Sequence, residues 1–145
     1  MSQLFTCNRE LPYSPEQMFD LVADIERYPE FLDGWKRARI IRSEGDVALV
    51  DQEMSLAGMT LPLTTRAEFR RPHALSIASE AGPIAGLDIR WAFAPETSGG
   101  CRVDFAISYA NTSAALSFIL SIAFRKMGPD IVSAFERRAR KLYGG

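Results

Sequence analysis

Few side chains in this sequence are of the types that perform acid–base or nucleophilic chemistry, which requires an acid, a base or a nucleophile placed together. The one histidine, His73, follows Pro72 in a predicted hairpin turn, where we expect a solvated imidazole. Gly99-Gly100 is also predicted as a turn, not as a phosphate-binding loop at a helix start. We therefore predict no catalytic residues. The acidic side chains that cluster near the N-terminus are predicted to form a solvated face: Asp20, Asp24, Glu26 and Glu30.

The cysteine and charge content excludes several further classes of protein. Cys7 and Cys101 lie far apart, each in a strand-like segment, and we expect two buried free thiols in a reducing compartment. One histidine and two cysteines rule out a site rich in either ligand, so no metal is expected. The 145 residues predict a single domain over residues 1–145, and 17 basic against 18 acidic residues argue against a DNA partner.

The sequence begins with a predicted strand and helix. Residues Gln3 to Glu10 alternate loosely between apolar and polar side chains, which indicates a strand. Ser14 precedes Pro15, and Gln17 stands at the third helical position. This arrangement is typical of a capping box at a helix start, and an apolar stripe at helical spacing follows it.

A second short helix is predicted directly after the first. It covers Ile25 to Tyr28, with Asp24 as its candidate cap. We expect a break at Pro29, because the residue before a proline avoids the helical region of backbone conformation.

The middle of the chain is predicted to be an antiparallel sheet. From Trp35 onward the hydrophobic pattern has period two, and short turns rich in glycine, proline and acidic residues separate the segments. Links this short imply antiparallel pairing of neighbouring strands. The six predicted strands are Lys36–Ser43, Val47–Leu56, Thr60–Arg70, Ala74–Ala81, Leu87–Ala94 and Cys101–Tyr109.

The last segment is predicted to be one long helix from Ala114 to Tyr143, after a capping cluster at Asn111 to Ser113. Gly128-Pro129 lies inside this helix and should kink it or split it in two. The helical spacing predicts an apolar stripe that comprises Leu116, Ile119, Leu120, Ala123, Met127, Ile131, Phe135 and Leu142.

These elements predict an α+β fold in which a long amphipathic helix lies across the concave face of one curved, seven-stranded antiparallel sheet. One helix cannot contact such a sheet everywhere, so a mostly apolar cleft is expected between them, as in many small-molecule sites. The alternative that the same side chains are simply packed core stays open. The predicted lining comprises Leu63, Leu87, Trp91, Phe93, Phe105, Ile119 and Phe135.

Three segments resemble a known family. Tyr13 to Leu32 is similar to the opening of the coenzyme Q-binding, START-like proteins of the polyketide cyclase superfamily, a group that includes the bacterial ribosome-association toxin. Gly82 to Phe93 resembles the glycine-proline segment of that family, which ends in Trp-x-Phe. Ala134 to Gly144 is similar to the end of its last helix. The resemblance covers essentially the whole chain.

This resemblance implies the helix-grip fold, with two short helices and a hydrophobic tunnel under the long C-terminal helix. It implies ubiquinone or a related lipid as the bound ligand, with no cofactor beyond it. Quinone-binding members of the family act as carriers or chaperones needed for respiration. The matching positions imply Leu87 and Trp91 as tunnel-wall residues, with Pro29 and Phe31 at the mouth.

We therefore expect a non-enzymatic lipid-binding protein, most simply for an isoprenoid quinone. Two alternatives share the fold: a toxin-like inhibitor that binds the ribosome and blocks subunit association, and a polyketide cyclase or aromatase. Side chains that would orient a quinone ring near the mouth are predicted among Thr65, Arg90, Tyr109 and Asn111.

Loading of such a ligand requires contact with a membrane. Phe118, Ile122 and Phe124 on the last helix would provide apolar contacts, beside a basic flank that attracts anionic lipid. No signal segment is expected before the first strand, which favours a bacterial-type cytoplasm with peripheral contact at the inner membrane, or a mitochondrion in a eukaryote. The basic residues are Arg125, Lys126, Arg137, Arg138, Arg140 and Lys141.

Overall fold

The computed structural model describes residues 2–56, 58–81, 84, 86–110 and 113–144. Its elements follow the predicted order, and no strand boundary differs by more than one residue from the prediction. The strands are β1 Ser2–Leu11, β2 Trp35–Glu44, β3 Val47–Leu56, β4 Met59–Arg70, β5 Ala74–Ala81, β6 Asp88–Pro95 and β7 Cys101–Tyr109. The helices are α1 Pro15–Ala23, a 3₁₀ helix Ile25–Glu30 and α2 Ala114–Tyr143.

Several positions used in the sequence analysis lie outside the described residues. In the segment that resembles the START-like family these are Gly82, Pro83 and Ala85, and in the predicted capping cluster they are Asn111 and Thr112. The side chain of Leu116 is likewise not described.

The seven strands form one antiparallel sheet in the order β1-β7-β6-β5-β4-β3-β2. Strands β2 to β7 therefore follow one another as a meander, and β1 pairs with β7 at the far edge. Along β3 and β7 the inward side chains are buried and the outward ones are half-exposed or exposed, as the period-two pattern requires. The predicted fold class, a curved sheet with a long C-terminal helix, is confirmed.

The start of α1 has the predicted capping box. The Ser14 hydroxyl accepts a hydrogen bond from the Gln17 backbone N–H, and the Gln17 side-chain oxygen accepts one from the Ser14 N–H, at 3.1 and 2.9 Å. Pro15 occupies the first helical position, where its missing N–H costs nothing. These two reciprocal bonds fix where the chain leaves β1 and enters α1.

The second short helix differs from the prediction in two respects. It makes no side-chain capping bond from Asp24, and Pro29 lies inside it instead of ending it. The expected break is wrong because the turn closes beyond the proline: the backbone N–H groups of Phe31 and Leu32 both donate to the Tyr28 carbonyl, at 3.2 and 2.8 Å. A proline lacks only its own N–H, so a 3₁₀ segment this short retains these bonds.

Helix α2 is continuous over 30 residues, with Pro129 inside it, so the predicted split does not occur. Its buried face also differs from the predicted stripe, because Ile119 and Leu142 are 37% and 52% exposed whereas Phe124 is fully buried. Successive helical residues are about 100° apart, so two adjacent apolar stripes compete. The stripe that faces the sheet and is buried comprises Leu120, Phe124, Gly128, Ile131 and Phe135. Within the described residues, neither this helix nor the others combine the length and apolarity that a membrane span requires.

Candidate functional site

An internal cavity lies between the concave face of the sheet and helix α2. Of the side chains predicted to line it, the structure brings Leu63, Leu87, Trp91, Phe105 and Phe135 together around one space. The rest of its lining comes from Tyr28, Leu32, Trp35, Gln52, Met54, Thr65, Ile77, Ile89 and Ile131. Strands β2 to β7 supply the floor, with β2 contributing only Trp35, and the 3₁₀ helix, the segment after it and α2 supply the roof.

The other predicted site residues lie elsewhere. Phe93 packs beside the cavity, with its ring stacked 6.3 Å from Trp91 and edge-on to Phe19 at 6.1 Å, and does not line it. Pro29 is half-buried in the 3₁₀ helix and lines neither the cavity nor the groove outside it. Phe31 and Ile119 both line that outer groove.

The inner cavity is nearly closed. Its free space is about 20 Å³, about the room that one water molecule occupies. Sites for small organic ligands usually offer roughly 300–1,000 Å³. A lipid can therefore enter only if roof side chains move.

The outer groove is much larger and adjoins the closed cavity. It has a volume of about 780 Å³ and runs between α2 and the loop that carries Asp33 and Gly34. Leu32 and Ile131 line both spaces, so their side chains form the partition between them. Apart from this partition, the groove is lined mainly by apolar side chains, among them Leu56, Ile122 and Met127. Its charged lining is balanced, with Lys126 and Arg137 against Asp33 and Asp130.

An aromatic cluster holds the roof shut. The ring of Phe135 on α2 meets Tyr28, Phe31 and Trp91 edge-on, with centroid separations of 5.4, 5.1 and 4.9 Å. Edge-to-face contacts of this kind each contribute about 0.5–1.5 kcal/mol beyond the burial of area. The cluster thus joins the 3₁₀ helix, α2 and the sheet at one point.

Arg138 on α2 stabilises the contact between this helix and the 3₁₀ helix from the outer side. Its guanidinium lies 5.0 Å from the centre of the Phe31 ring and forms an ion pair with Glu30 at 3.2 Å. The side chain of Arg138 is only 13% exposed, which favours the cation–π contact over competition from water. Movement of the 3₁₀ helix away from α2 must break both interactions.

The lining contains two buried polar side chains that stand out on an otherwise apolar face. Gln52 on β3 and Thr65 on β4 are 3% and 2% exposed. The Trp35 indole N–H donates to the Gln52 side-chain oxygen, and the Gln52 amide N–H donates to the Thr65 hydroxyl, both at 2.8 Å. The Thr65 hydroxyl in turn donates to the Val50 carbonyl at 3.4 Å.

Sequence reasoning singled out Thr65 but missed Gln52 and Trp35 as cavity residues. The signal was present, because Gln52 shares its strand face with Ala48, Val50, Met54 and Leu56 by simple alternation.

The other predicted ring-orienting groups do not line the cavity. Tyr109 is hydrogen-bonded to Ser117. The side chain of Arg90 is exposed on the face of the sheet that points away from the cavity, and it pairs with Asp88 at 3.1 Å. Asn111 lies outside the described residues.

The histidine and the carboxylates lie away from the cavity, and Tyr28, which lines it, keeps its proton. His73 is exposed in its turn, and Asp20 forms an ion pair with Arg71 at 2.8 Å on the surface. Burial raises the pKa of Tyr28, and the nearby Asp24 adds to the shift, so this phenol stays protonated and donates to the Val22 carbonyl. Among the described residues, no three histidine, cysteine or acidic side chains are grouped so that they could hold a metal.

The fold and cavity together define a helix-grip protein of the START-like class. The chain matches the family described as polyketide cyclase / dehydrase and lipid transport over residues 11–136. It belongs to this family, and the resemblance to START-like proteins of the polyketide cyclase superfamily is confirmed.

Two curated relatives carry different functional names. The chain is 30% identical to the ribosome association toxin RatA of Escherichia coli strain K12 over 133 residues, which covers 92% of this chain and 84% of the relative. It is 26% identical to the mitochondrial coenzyme Q-binding protein COQ10 homolog B of Xenopus laevis, over 94% of this chain and 58% of the relative. The Zhui aromatase/cyclase from Streptomyces sp. R1128 shares the fold with a TM-score of 0.83 at 12% identity, over 95% of this chain and 94% of that one.

Proposed function

We propose that this chain binds an isoprenoid quinone, ubiquinone or a close relative, in the space between its sheet and α2, and acts as a carrier or chaperone that supports respiration. The observation that supports this most directly is a cavity lined almost entirely by apolar and aromatic side chains, with no paired acid and base among the described residues that face it. A prenyl chain gains about 0.8 kcal/mol for each methylene that leaves water. The relative named as a coenzyme Q-binding protein supports the choice of lipid.

The outer groove is the entry route in this proposal. Its rim carries Ile122, which is 56% exposed, and Phe118 one turn earlier on α2 is 68% exposed. Phe124, which was expected on the same surface, is fully buried and does not take part. Arg125 and Lys126 follow in sequence and are exposed, so the helix beside the rim combines apolar contacts with positive charge, as membrane-surface segments do. Asp33 and Asp130 line the groove itself, so the attraction to anionic lipid is assigned to this part of the helix and not to the groove. The proposal places the chain at least transiently on an anionic membrane, the inner membrane of a bacterium or mitochondrion.

The direct test begins with the purified protein. Extraction with organic solvent followed by mass spectrometry should recover an isoprenoid quinone, and titration with a quinone should quench the fluorescence of Trp35 and Trp91. Both tryptophans of the chain line the cavity, so they report on a ligand inside it. Absence of quinone from the extract together with absence of quenching would refute the proposal.

The entry route has a matched pair of variants. Ile122→Ser should slow the transfer of quinone from anionic vesicles, because it removes an apolar contact from the rim. Ile41→Ser is the control, since Ile41 on β2 is 54% exposed but does not line the groove. Equal transfer rates for both variants would place the entry elsewhere.

A second candidate function is ribosome association, which the relative named RatA supports. Edge strand β2 presents a row of exposed basic residues, Lys36, Arg37, Arg39 and Arg42. Such a row suits the phosphates of RNA better than pairing with another strand. Sucrose-gradient profiles after overexpression test it: the joined ribosomes should decrease, and Arg39→Glu with Arg42→Glu should restore them. Unchanged joined ribosomes would exclude this function.

A further inference from the structure

The row formed by Trp35, Gln52 and Thr65 has a defined hydrogen-bond direction. An indole N–H can only donate, so the Gln52 atom that faces Trp35 must be the carbonyl oxygen. The amide nitrogen of Gln52 therefore faces Thr65, as the 2.8 Å bond between them shows. The Thr65 hydroxyl uses its own proton toward the Val50 carbonyl, and so it is free to accept that bond.

This order leaves one donor available. A primary amide carries two N–H groups, and Gln52 uses one of them toward Thr65. Its second N–H has no acceptor among the described residues. Gln52 is 3% exposed and lines the inner cavity, so this donor belongs to the buried space and not to the outer groove.

We propose that the cavity takes its ligand head first, with a carbonyl oxygen of the ligand accepting the free N–H of Gln52. The hydrocarbon tail then passes between Leu32 and Ile131 into the outer groove. This inference rests on the proposed function and specifies how the lipid is oriented in that site.

The opposite orientation is less favourable for a stated reason. A tail that entered first would surround the amide of Gln52 with hydrocarbon and leave its second N–H without a partner, which weakens binding. Head-first entry pairs the donor and keeps the tail against apolar side chains.

The test compares two probes with the same tail, decylbenzoquinone and decylbenzene, titrated into the full chain by tryptophan fluorescence or by competition. The wild-type protein should prefer the quinone. Gln52→Met keeps the approximate length of the side chain but cannot donate, and it should reduce that preference about tenfold, the equivalent of one hydrogen bond. Thr65→Val releases a second amide N–H and should raise the preference instead.

The outcomes separate this inference from the proposed function. If the wild-type protein binds neither probe, both fail. If it binds the quinone but Gln52→Met retains the full preference, head-first binding is refuted and the quinone-binding function stands. If Thr65→Val lowers the preference as much as Gln52→Met does, the row has only a structural role and the inference is again refuted.

A measurement on the wild-type protein covers the case in which Gln52→Met does not fold. The infrared carbonyl stretch of bound decylbenzoquinone should shift to lower frequency than in hexane, because a donated hydrogen bond weakens the C=O bond. A stretch at the hexane frequency would contradict the proposal, whatever the variants do.

Discussion

The substitution Gly128→Ala tests how closely α2 packs against the edge of the sheet, and thus what holds the cavity roof in place. A methyl group at this position would lie 2.5, 2.6 and 2.9 Å from the Cδ2, Cγ and Cε2 atoms of Phe5 on β1. Real carbon atoms do not approach so closely, so the Phe5 ring must move. That ring packs 6.1 Å from the ring of Phe105, which lines the cavity.

Two effects of known size oppose each other. Replacing a helix-interior glycine by alanine stabilises a helix by about 1 kcal/mol, and by less than this at Gly128, because a Cβ on the residue before Pro129 also meets the proline ring. Forcing an extra methyl into a packed contact costs about 1–3 kcal/mol. We therefore expect Gly128→Ala to lower the free energy of unfolding, within a range of about 0–3 kcal/mol, and each 1 kcal/mol corresponds to roughly 2–4 °C in Tm.

Urea unfolding of a double-mutant cycle isolates the contact. In a Phe5→Ala background the obstructing ring is absent and only the contact with Pro129 remains, so Gly128→Ala should change the stability of that variant by no more than about 1 kcal/mol, in the stabilising direction. The substitution is thus expected to lower the free energy of unfolding by about 1–3 kcal/mol more in the wild-type protein than in the Phe5→Ala protein, with unchanged m-values. If Gly128→Ala had the same effect in both backgrounds, the close approach of α2 to β1 would be refuted.

Two further predictions concern buried groups. Iodoacetamide should alkylate half-buried Cys7 and leave Cys101 unmodified until the chain unfolds, because Cys101 is fully buried. That burial also raises the pKa of the Cys101 thiol from 9.0 to about 11, with lesser contributions from acidic neighbours. Since folded Cys101 holds its proton more tightly than the unfolded thiol does, its contribution to stability is present below pH 9.0 and is lost as the pH rises to about 11. Equal alkylation of the two thiols in peptide maps would contradict the predicted protection of Cys101. Tyr28→Phe should lower the free energy of unfolding by about 1–3 kcal/mol, because it leaves the Val22 carbonyl without the hydroxyl that donates to it. Unchanged urea midpoints would show that this hydrogen bond contributes nothing to stability.

Local patterns in the sequence were sufficient for the elements and their order. The capping box at Ser14 and Gln17 depends only on residues three positions apart, and it forms as predicted. The strands follow from alternation bounded by turns, and short links made the antiparallel order the simplest one. These features are local, so one sequence contains the information needed to predict them.

Features that depend on how distant elements meet were not predictable in the same way. The rotation of α2 is set by Gly128, which lets the helix approach Phe5, more than 120 positions earlier in the chain. Periodicity alone placed Ile119 with Leu120 in the buried stripe and left Phe124 out of it, because apolar side chains occupy more than one face of this part of the helix. The cavity volume is likewise a property of the assembled rings and not of any segment.

The free energy needed to open the roof limits which ligands can enter the cavity. Opening the roof separates Phe135 from Tyr28 and Phe31 and moves Phe31 away from Arg138. From the usual strength of aromatic and cation–π contacts, this costs about 1.5–5 kcal/mol. Burying one five-carbon isoprene unit contributes about 4 kcal/mol at most, so one or two buried units offset opening and each further unit adds affinity. A small aromatic head without a tail gains less than this, so we expect the proposed site to bind tailed lipids in preference to compact ligands.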